Sequence, residues 1–338
     1  MDRLPGRPRL AAPPRAPARA LVRRGTVRRG TVRQLAAAAV VAAQIPYPLL
    51  PAGGGGRAWL TIGQVLAFFV ASASHAAHRR GRVFAAGYLA ITVGLGFAAE
   101  VVGLRTGWPF GHYSYTGRLG LEVAGVPAII PLGWAMMAYP ALLAGRWSAA
   151  NAGLGPAGPR ARVATALAGG VLLAGWDLFL DPRMVAEGFW VWEPGGGPAL
   201  NGIPLTNAAG WLLVGATLVA LLDRLPDPAR RPAPDRPAAP RQRPGPVRWP
   251  AGDGVPLFLL CWTYGSWVLA CLAFFGQPSV ALAGAVGMAL PALPRALARR
   301  PRPATPPRPT TPSRARVLAR APAAASSQPR PDQPDEPG

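Results

Sequence analysis

The chain contains no lysine: all 36 basic residues among its 338 are arginines. That absence excludes every mechanism built on a lysine amine. There is no Walker-type phosphate lysine, no pyridoxal Schiff base and no retinal Schiff base. Cysteine is nearly absent as well, with only Cys261 and Cys271, both in one late apolar stretch. Ten residues of helix would separate them by about 15 Å. That is beyond disulfide reach, so both read as small packing residues. No Cys/His cluster has zinc spacing. His75 and His78 stand beside Arg79 and Arg80 and read as interfacial residues, with a haem or metal role as the alternative. The glycine run 53–56 is followed by neither a strand nor a GK[ST] element, so it is not a phosphate cradle. Acids are scarce too, 14 against 36 arginines, which leaves a net charge of +22. The arginines flank apolar spans and no nucleic-acid-binding motif accompanies them, so a nucleic-acid partner is not expected.

What the chain does have is apolar sequence, bunched between about Leu35 and Leu293. A spanning helix needs about 20 mostly apolar residues. Candidate spans are 34–51, 58–77, 83–104, 126–145, 162–181, 206–222, 255–275 and 278–293. The first holds Pro46 and Pro48 and should be kinked. With a cytoplasmic N-terminus, 32 of the 36 arginines fall inside; only Arg57, Arg105, Arg118 and Arg183 fall outside. Every loop then obeys the positive-inside rule. The expected fold is an all-α polytopic transmembrane bundle in the cell membrane with both termini cytoplasmic. It divides into a disordered basic arm (1–33), a membrane domain carrying the site (34–222) and an Arg/Pro-rich cytoplasmic linker (223–254). Two further transmembrane helices (255–293) and a disordered Arg/Pro-rich tail (294–338) follow.

The informative acids are Asp177 and Asp181, near the end of an apolar stretch and four residues apart, on one helical face. A charge in hydrocarbon costs at least ~2.5 kcal/mol, and acids kept there usually carry protons, bind ions or pair. Glu100 falls at a similar depth on the same non-cytoplasmic side. Structural alternatives exist: Glu100 with Arg105, Asp181 with Arg183, or Asp181 capping the exit turn before Pro182. The loops 105–125 and 182–205, on that side, alternate aromatics (Tyr113, Tyr115; Trp190, Trp192). They suggest short strands or a flap over an apolar substrate pocket, or else an aromatic belt. A shift of 77 residues superposes Glu100 on Asp177, Gly111 on Gly188, Tyr113 on Trp190 and Tyr115 on Trp192. It also places Gly125-Val126-Pro127 on Gly202-Ile203-Pro204 and Gly133-Trp134 on Gly210-Trp211. This suggests an internal repeat of two helix-loop-helix units about an axis along the membrane normal.

Several of these elements resemble a known family. They are Glu100, Thr106-Gly107, Pro109-Phe110-Gly111, Tyr113, Tyr115, Val126-Pro127, Pro131, Trp134 and Tyr139-Pro140 in the first unit. The second unit adds Trp176-Asp177-Leu178, Asp181-Pro182, Met184-Val185, Gly188, Trp190, Trp192, Asn201-Gly202-Ile203-Pro204, Asn207 and Gly210-Trp211. The string resembles the CruF-like carotenoid biosynthesis family of integral membrane proteins, which includes carotenoid 1',2'-hydratases and bisanhydrobacterioruberin hydratases. The resemblance is strong over roughly 60–225. It implies water addition across a terminal double bond of an acyclic carotenoid, a reaction that needs no cofactor and no metal. It needs a carboxylic acid that stays protonated, which burial and a neighbouring carboxylate both favour. The resemblance points to Asp177 as general acid, with Glu100 or Asp181 tuning it or acting as base. Tyr113, Tyr115, Trp190 and Trp192 could stabilise a cation by their ring faces. Trp134 and Trp211 join them as substrate-binding candidates, and Asn201 or Asn207 could orient the water. Expected partners are the carotenoid, water, membrane lipid and other carotenoid-pathway enzymes. Three alternatives remain open: a membrane prenyltransferase, a non-catalytic carotenoid or lipid binder, and a proton-coupled transporter.

Overall fold

A computed structural model describes residues 18–156, 158–195, 197–230 and 246–298. Its helices are α1 (Ala18–Gln44), α2 (Gly55–Thr106), α3 (Ile130–Asn151), α4 (Pro159–Ala186), α5 (Leu205–Leu222), α6 (Gly254–Ala273), α7 (Pro278–Ala289) and α8 (Leu293–Ala298). Among the described residues five segments are long and apolar enough to cross a membrane: Gly55–Thr106, Pro159–Ala186, Leu205–Leu222, Ala251–Ala273 and Pro278–Leu297. The chain is therefore a helical membrane protein, although fewer segments meet that measure than the eight spans expected.

The differences have local causes. The 52-residue α2 holds two of the expected spans, broken at Gly81, whose φ of 86° and ψ of 166° suit only glycine. Ser72 before the break donates to Met136 O at 2.9 Å, and Tyr88 after it donates to Ala135 O at 2.6 Å. Both arms thus flank the same turn of α3, and α2 doubles back at one residue. The first expected span is not kinked. α1 stops at Gln44 and a 3-10 turn, Tyr47–Leu49, follows Pro46, because proline lacks the helix-continuing N–H and restricts the residue before it. α1 also begins at Ala18, inside the segment expected as an irregular arm. α3 is not among the five segments; it carries Pro131, Trp134, Tyr139, Pro140 and Arg146. It has no need of a lipid-facing side, since residues 134–145 are all buried, packed between α2 and α4. α4 meets α7 where Gly175 faces Gly287; a Cβ on either would collide with the other's backbone, the small-residue contact that lets membrane helices approach.

At the end expected to be cytoplasmic, the two edges of the linker are pinned. Asp253 takes both guanidinium nitrogens of Arg80, at 3.0 and 2.9 Å, and Asp227 lies 3.3 Å from Arg80. Arg146 reaches Asp223 at 2.7 Å and Asp227 at 2.6 Å. Residues 231–245 of the linker, 1–17 of the arm and 299–338 of the tail lie outside the described residues. His75 is buried rather than interfacial, with Nδ1 2.8 Å from Tyr139 Oη and Nε2 3.1 Å from Gly252 O.

The other end carries three two-stranded sheets: β1 (Tyr113–Tyr115) with β4 (Trp190–Trp192), β2 (Glu122–Val123) with β3 (Val126–Pro127), and β5 (Ala199–Leu200) with β6 (Ile203–Pro204). Strands β1, β2 and β3 coincide with β4, β5 and β6 at the 77-residue shift. So do the turns: Ala124-Gly125 (φ 53° and 84°) match Asn201-Gly202 (φ 54° and 82°), both in the left-handed conformation that tight hairpin turns require. Gly81 likewise matches Gly158, where α4 begins. β1 and β4 pair antiparallel, Tyr113 opposite Trp192, Ser114 opposite Val191 and Tyr115 opposite Trp190. Exchanging the two units maps this register onto itself, as an isologous two-fold contact requires. The strands that cover the bundle are thus the junction of two repeats.

Candidate active site

Beneath the β1–β4 sheet the two units place their carboxyls. Glu100 comes from the second arm of α2, Asp177 and Asp181 from the last turns of α4, and all three are buried. Glu100 Oε2 accepts from Tyr113 Oη at 2.5 Å and Tyr115 Oη at 2.8 Å, while Oε1 accepts from Trp134 Nε1 at 2.9 Å. Alternation along β1 would send Tyr113 and Tyr115 to one face, and both hydroxyls reach the same oxygen. Burial, then the charge of Glu100, pushes both phenols above their ordinary value of 10.0. They therefore stay protonated and act as donors.

The second unit is built differently. Asn207, in the first turn of α5, donates its amide to Asp177 Oδ2 at 2.7 Å and to Asp181 Oδ2 at 2.5 Å. The repeat puts Ile130 where Asn207 stands and Leu104 where Asp181 stands. The units thus diverge at the positions that add an acid and an amide. Asp177 Oδ1 and Trp192 Nε1 are buried without a hydrogen-bond partner among the described residues, so each can meet a guest.

A cavity of about 60 Å³ separates these groups, lined by Glu100, Tyr113, Trp134, Asp181, Trp192, Asn207 and neighbours including Tyr115, Trp190 and Trp211. It has room for water or for a small group. Its floor is the Trp134–Trp211 stack, ring centroids 3.9 Å apart and planes 20° apart, a pair that the repeat relates. Trp176 meets Trp211 edge-on at 5.7 Å. Asp177 and Asn201 line a smaller adjoining cavity, which Asn207 shares with the chamber. Asn201 is the one substrate-binding candidate outside the chamber; its left-handed φ serves the β5–β6 turn. Among the described residues no three His, Cys, Asp or Glu are grouped to hold a metal ion.

The alternative pairings proposed from sequence do not form. Glu100 bonds the aromatic donors, not Arg105, and Arg183 pairs with Glu187, not Asp181. Asp181 does not cap an exit turn, because α4 continues through Pro182 to Ala186. Sequence reasoning missed the rim cluster on the same end. Glu187 accepts from Arg57, from Arg183 and from Gly53 N, the last at 3.0 Å. Arg118 ties the carbonyls of Glu187 and Gly53, and Arg183 lies 3.7 Å over the Phe275 ring. Arg57 and Glu187 are 130 residues apart. The available signal was that two of the four arginines expected on the non-cytoplasmic side, Arg57 and Arg118, had no assigned role beyond the topology count.

A helical membrane bundle closed by an aromatic sheet over three buried carboxyls defines the class. The chain belongs to the carotenoid biosynthesis protein family, whose pattern matches residues 59–291. That is the family its motifs resemble, and the match continues into α7. Among curated proteins it is similar to the bisanhydrobacterioruberin hydratase of Haloarcula japonica, 36% identical over 135 residues. Those residues are 38% of this chain and 41% of that protein. The aligned stretch therefore spans less than half the length of this curated relative. No solved structure matches.

Proposed function

We propose that the protein adds water across a terminal double bond of an acyclic carotenoid end group. The observation that carries this is the cluster of buried carboxyls, Glu100 and Asp181 in the chamber and Asp177 joined to Asp181 through Asn207, beside two unsatisfied polar atoms and held by neutral donors under ring faces. The family and the hydratase relative support the substrate class. The alkene π electrons take a proton onto the less substituted carbon from the Asp177–Asp181 pair, Asp177 being its acid and Asp181 the member that lines the chamber, leaving a tertiary cation. Water attacks that cation through oxygen, and its surplus proton passes to Glu100. Return of that proton to the Asp177–Asp181 pair across the chamber completes the cycle, so the net change is one water added. Asn207 holds the two aspartates to one amide, which positions them to share a proton. Tyr113, Tyr115, Trp190 and Trp192 present ring faces to the cation, and the sheet keeps bulk water from quenching it. The free Trp192 Nε1–H is the donor best placed to hold the attacking water. The arginine distribution supports cytoplasmic termini and a chamber at the opposite membrane face.

Expression in a host that makes an acyclic carotenoid, followed by chromatography and mass analysis, tests this. The expected product is heavier by one water. Unchanged pigment, with carotenoid co-purifying, would overturn it in favour of a binding protein.

A further inference from the structure

The chamber is too small for a polyene, but it is not the only cavity that reaches Leu180. A second cavity of about 290 Å³ lies between α1, α2, α4 and α6, and Leu180 lines both. Its volume is near the lower end of ordinary ligand pockets, about 300–1,000 Å³. Its walls are those of an apolar guest site. Phe68, Met137, Trp176 and Trp267 line it, and Trp176 also touches the Trp211 ring of the chamber floor. Along α4 the lining runs from Trp176 to Met184, about 12 Å of helix, a length that suits a few isoprene units laid along the helix. One end is polar. Arg183, only 6% exposed, lines this cavity and its Nε has no hydrogen-bond partner among the described residues; the same is true of Gln64 Nε2.

We infer that this cavity holds the polyene arm of the substrate while the end group passes Leu180 into the carboxyl chamber, making Leu180 the residue that selects which end groups enter. The inference rests on the hydratase reading for the identity of the guest. Three observations support it: one shared wall residue, an aromatic lining, and a chamber that holds an end group but no chain. The unpartnered Arg183 Nε and Gln64 Nε2 would grip a polar substituent on the arm or a water beside it.

The test fills the cavity away from the chamber. Ala270 lines it on α6 and takes no part in the chamber, so Ala270→Trp should occlude the arm. Carotenoid bound by the purified protein is read by visible absorption, and turnover is measured on an acyclic carotenoid and on a short isoprenoid alcohol with the same end group. Ala270→Trp should lower carotenoid binding and turnover at least about tenfold while leaving turnover of the short substrate unchanged. Leu180→Ala should admit bulkier end groups without loss of binding. Ser266→Phe, one turn away on the same wall, guards against misfolding of the first variant, with thermal melting as the check. Carotenoid binding and turnover unchanged in both filled variants would overturn the inference and leave the hydratase reading standing. So would phospholipid alone occupying the wild-type protein. Wild-type protein that binds carotenoid and loses it on filling, but hydrates neither substrate, would sink the hydratase reading and keep the cavity assignment.

Discussion

Glu187 and the chamber carboxyls are equally buried and lie at the same end of the bundle, yet their surroundings are opposite. Glu187 is held by two guanidinium groups, Arg57 and Arg183, and by a backbone N–H. Six residues earlier on the same chain, Asp181 has the Trp190 indole and the Asn207 amide that it shares with Asp177, and Glu100 has two phenols and an indole. The aspartates at the far end follow the Glu187 pattern: Asp223, Asp227 and Asp253 all pair with arginine. Arginine is the commonest charged residue in the chain, so the exclusion of guanidinium from the chamber is selective. A buried carboxylate beside a guanidinium is fixed in its charge. One beside neutral donors can gain and lose a proton, which is what alkene hydration requires. The ion-paired acids hold the bundle together; in the proposed reaction the chamber acids carry the protons.

This contrast can be broken in three places. The largest expected effect is Asp177→Asn, which keeps the shape and removes the transferable proton. Hydration should fall about 10²- to 10⁴-fold, with carotenoid binding and melting temperature held; wild-type turnover in this variant would end the assignment of Asp177 as acid. Next is Glu187→Ala, which leaves two buried guanidinium groups without their partner and should destabilise the fold by about 3–5 kcal/mol. Thermal melting in detergent measures this, and turnover per folded molecule should change little. A variant that melts like wild type but loses turnover would mean the two regions are not distinct in the way argued. The smallest is Tyr113→Phe, which removes one hydrogen bond to Glu100, worth about 1.5–3 kcal/mol if Glu100 is charged. It should lower turnover more than stability. The two phenols also set a pH dependence. Their folded pKa lies above 10.0, while in the unfolded chain they ionise near the ordinary value. Stability linked to them is complete below about pH 10 and declines as pH rises toward the folded pKa. In Tyr113→Phe that alkaline decline, followed by melting, should be shallower.

Much of this was legible before any coordinates, for physical reasons specific to each residue. Asp177, Asp181 and Glu100 stood out because a carboxyl in an apolar run has few explanations. The 77-residue repeat was legible because the second position of each hairpin turn, Gly125 and Gly202, has a positive φ that favours glycine and each covering strand alternates aromatics, so the constraint recurs in sequence as it recurs in space. Other features left no local trace. The reversal at Gly81 depends on the helix partners of its two arms, since nearby glycines such as Gly87 and Gly94 stay helical. The Arg57–Glu187 pair joins residues far apart in the chain, and no periodicity connects them. The Asn207 bridge needed the register of α5 against α4. Leu180 is an ordinary helix leucine until two cavities are seen to meet at it.

The most direct test of the central claim is single-turnover reaction of purified wild-type and Asp177→Asn protein, each loaded with acyclic carotenoid, in water enriched in deuterium and heavy oxygen. The account predicts a wild-type product with one deuterium on the carbon adjacent to the one that bears the new hydroxyl and heavy oxygen in that hydroxyl, and no such product from the folded, carotenoid-loaded variant. Equal label incorporation by the two proteins, or a hydroxyl oxygen that does not come from water, would contradict it.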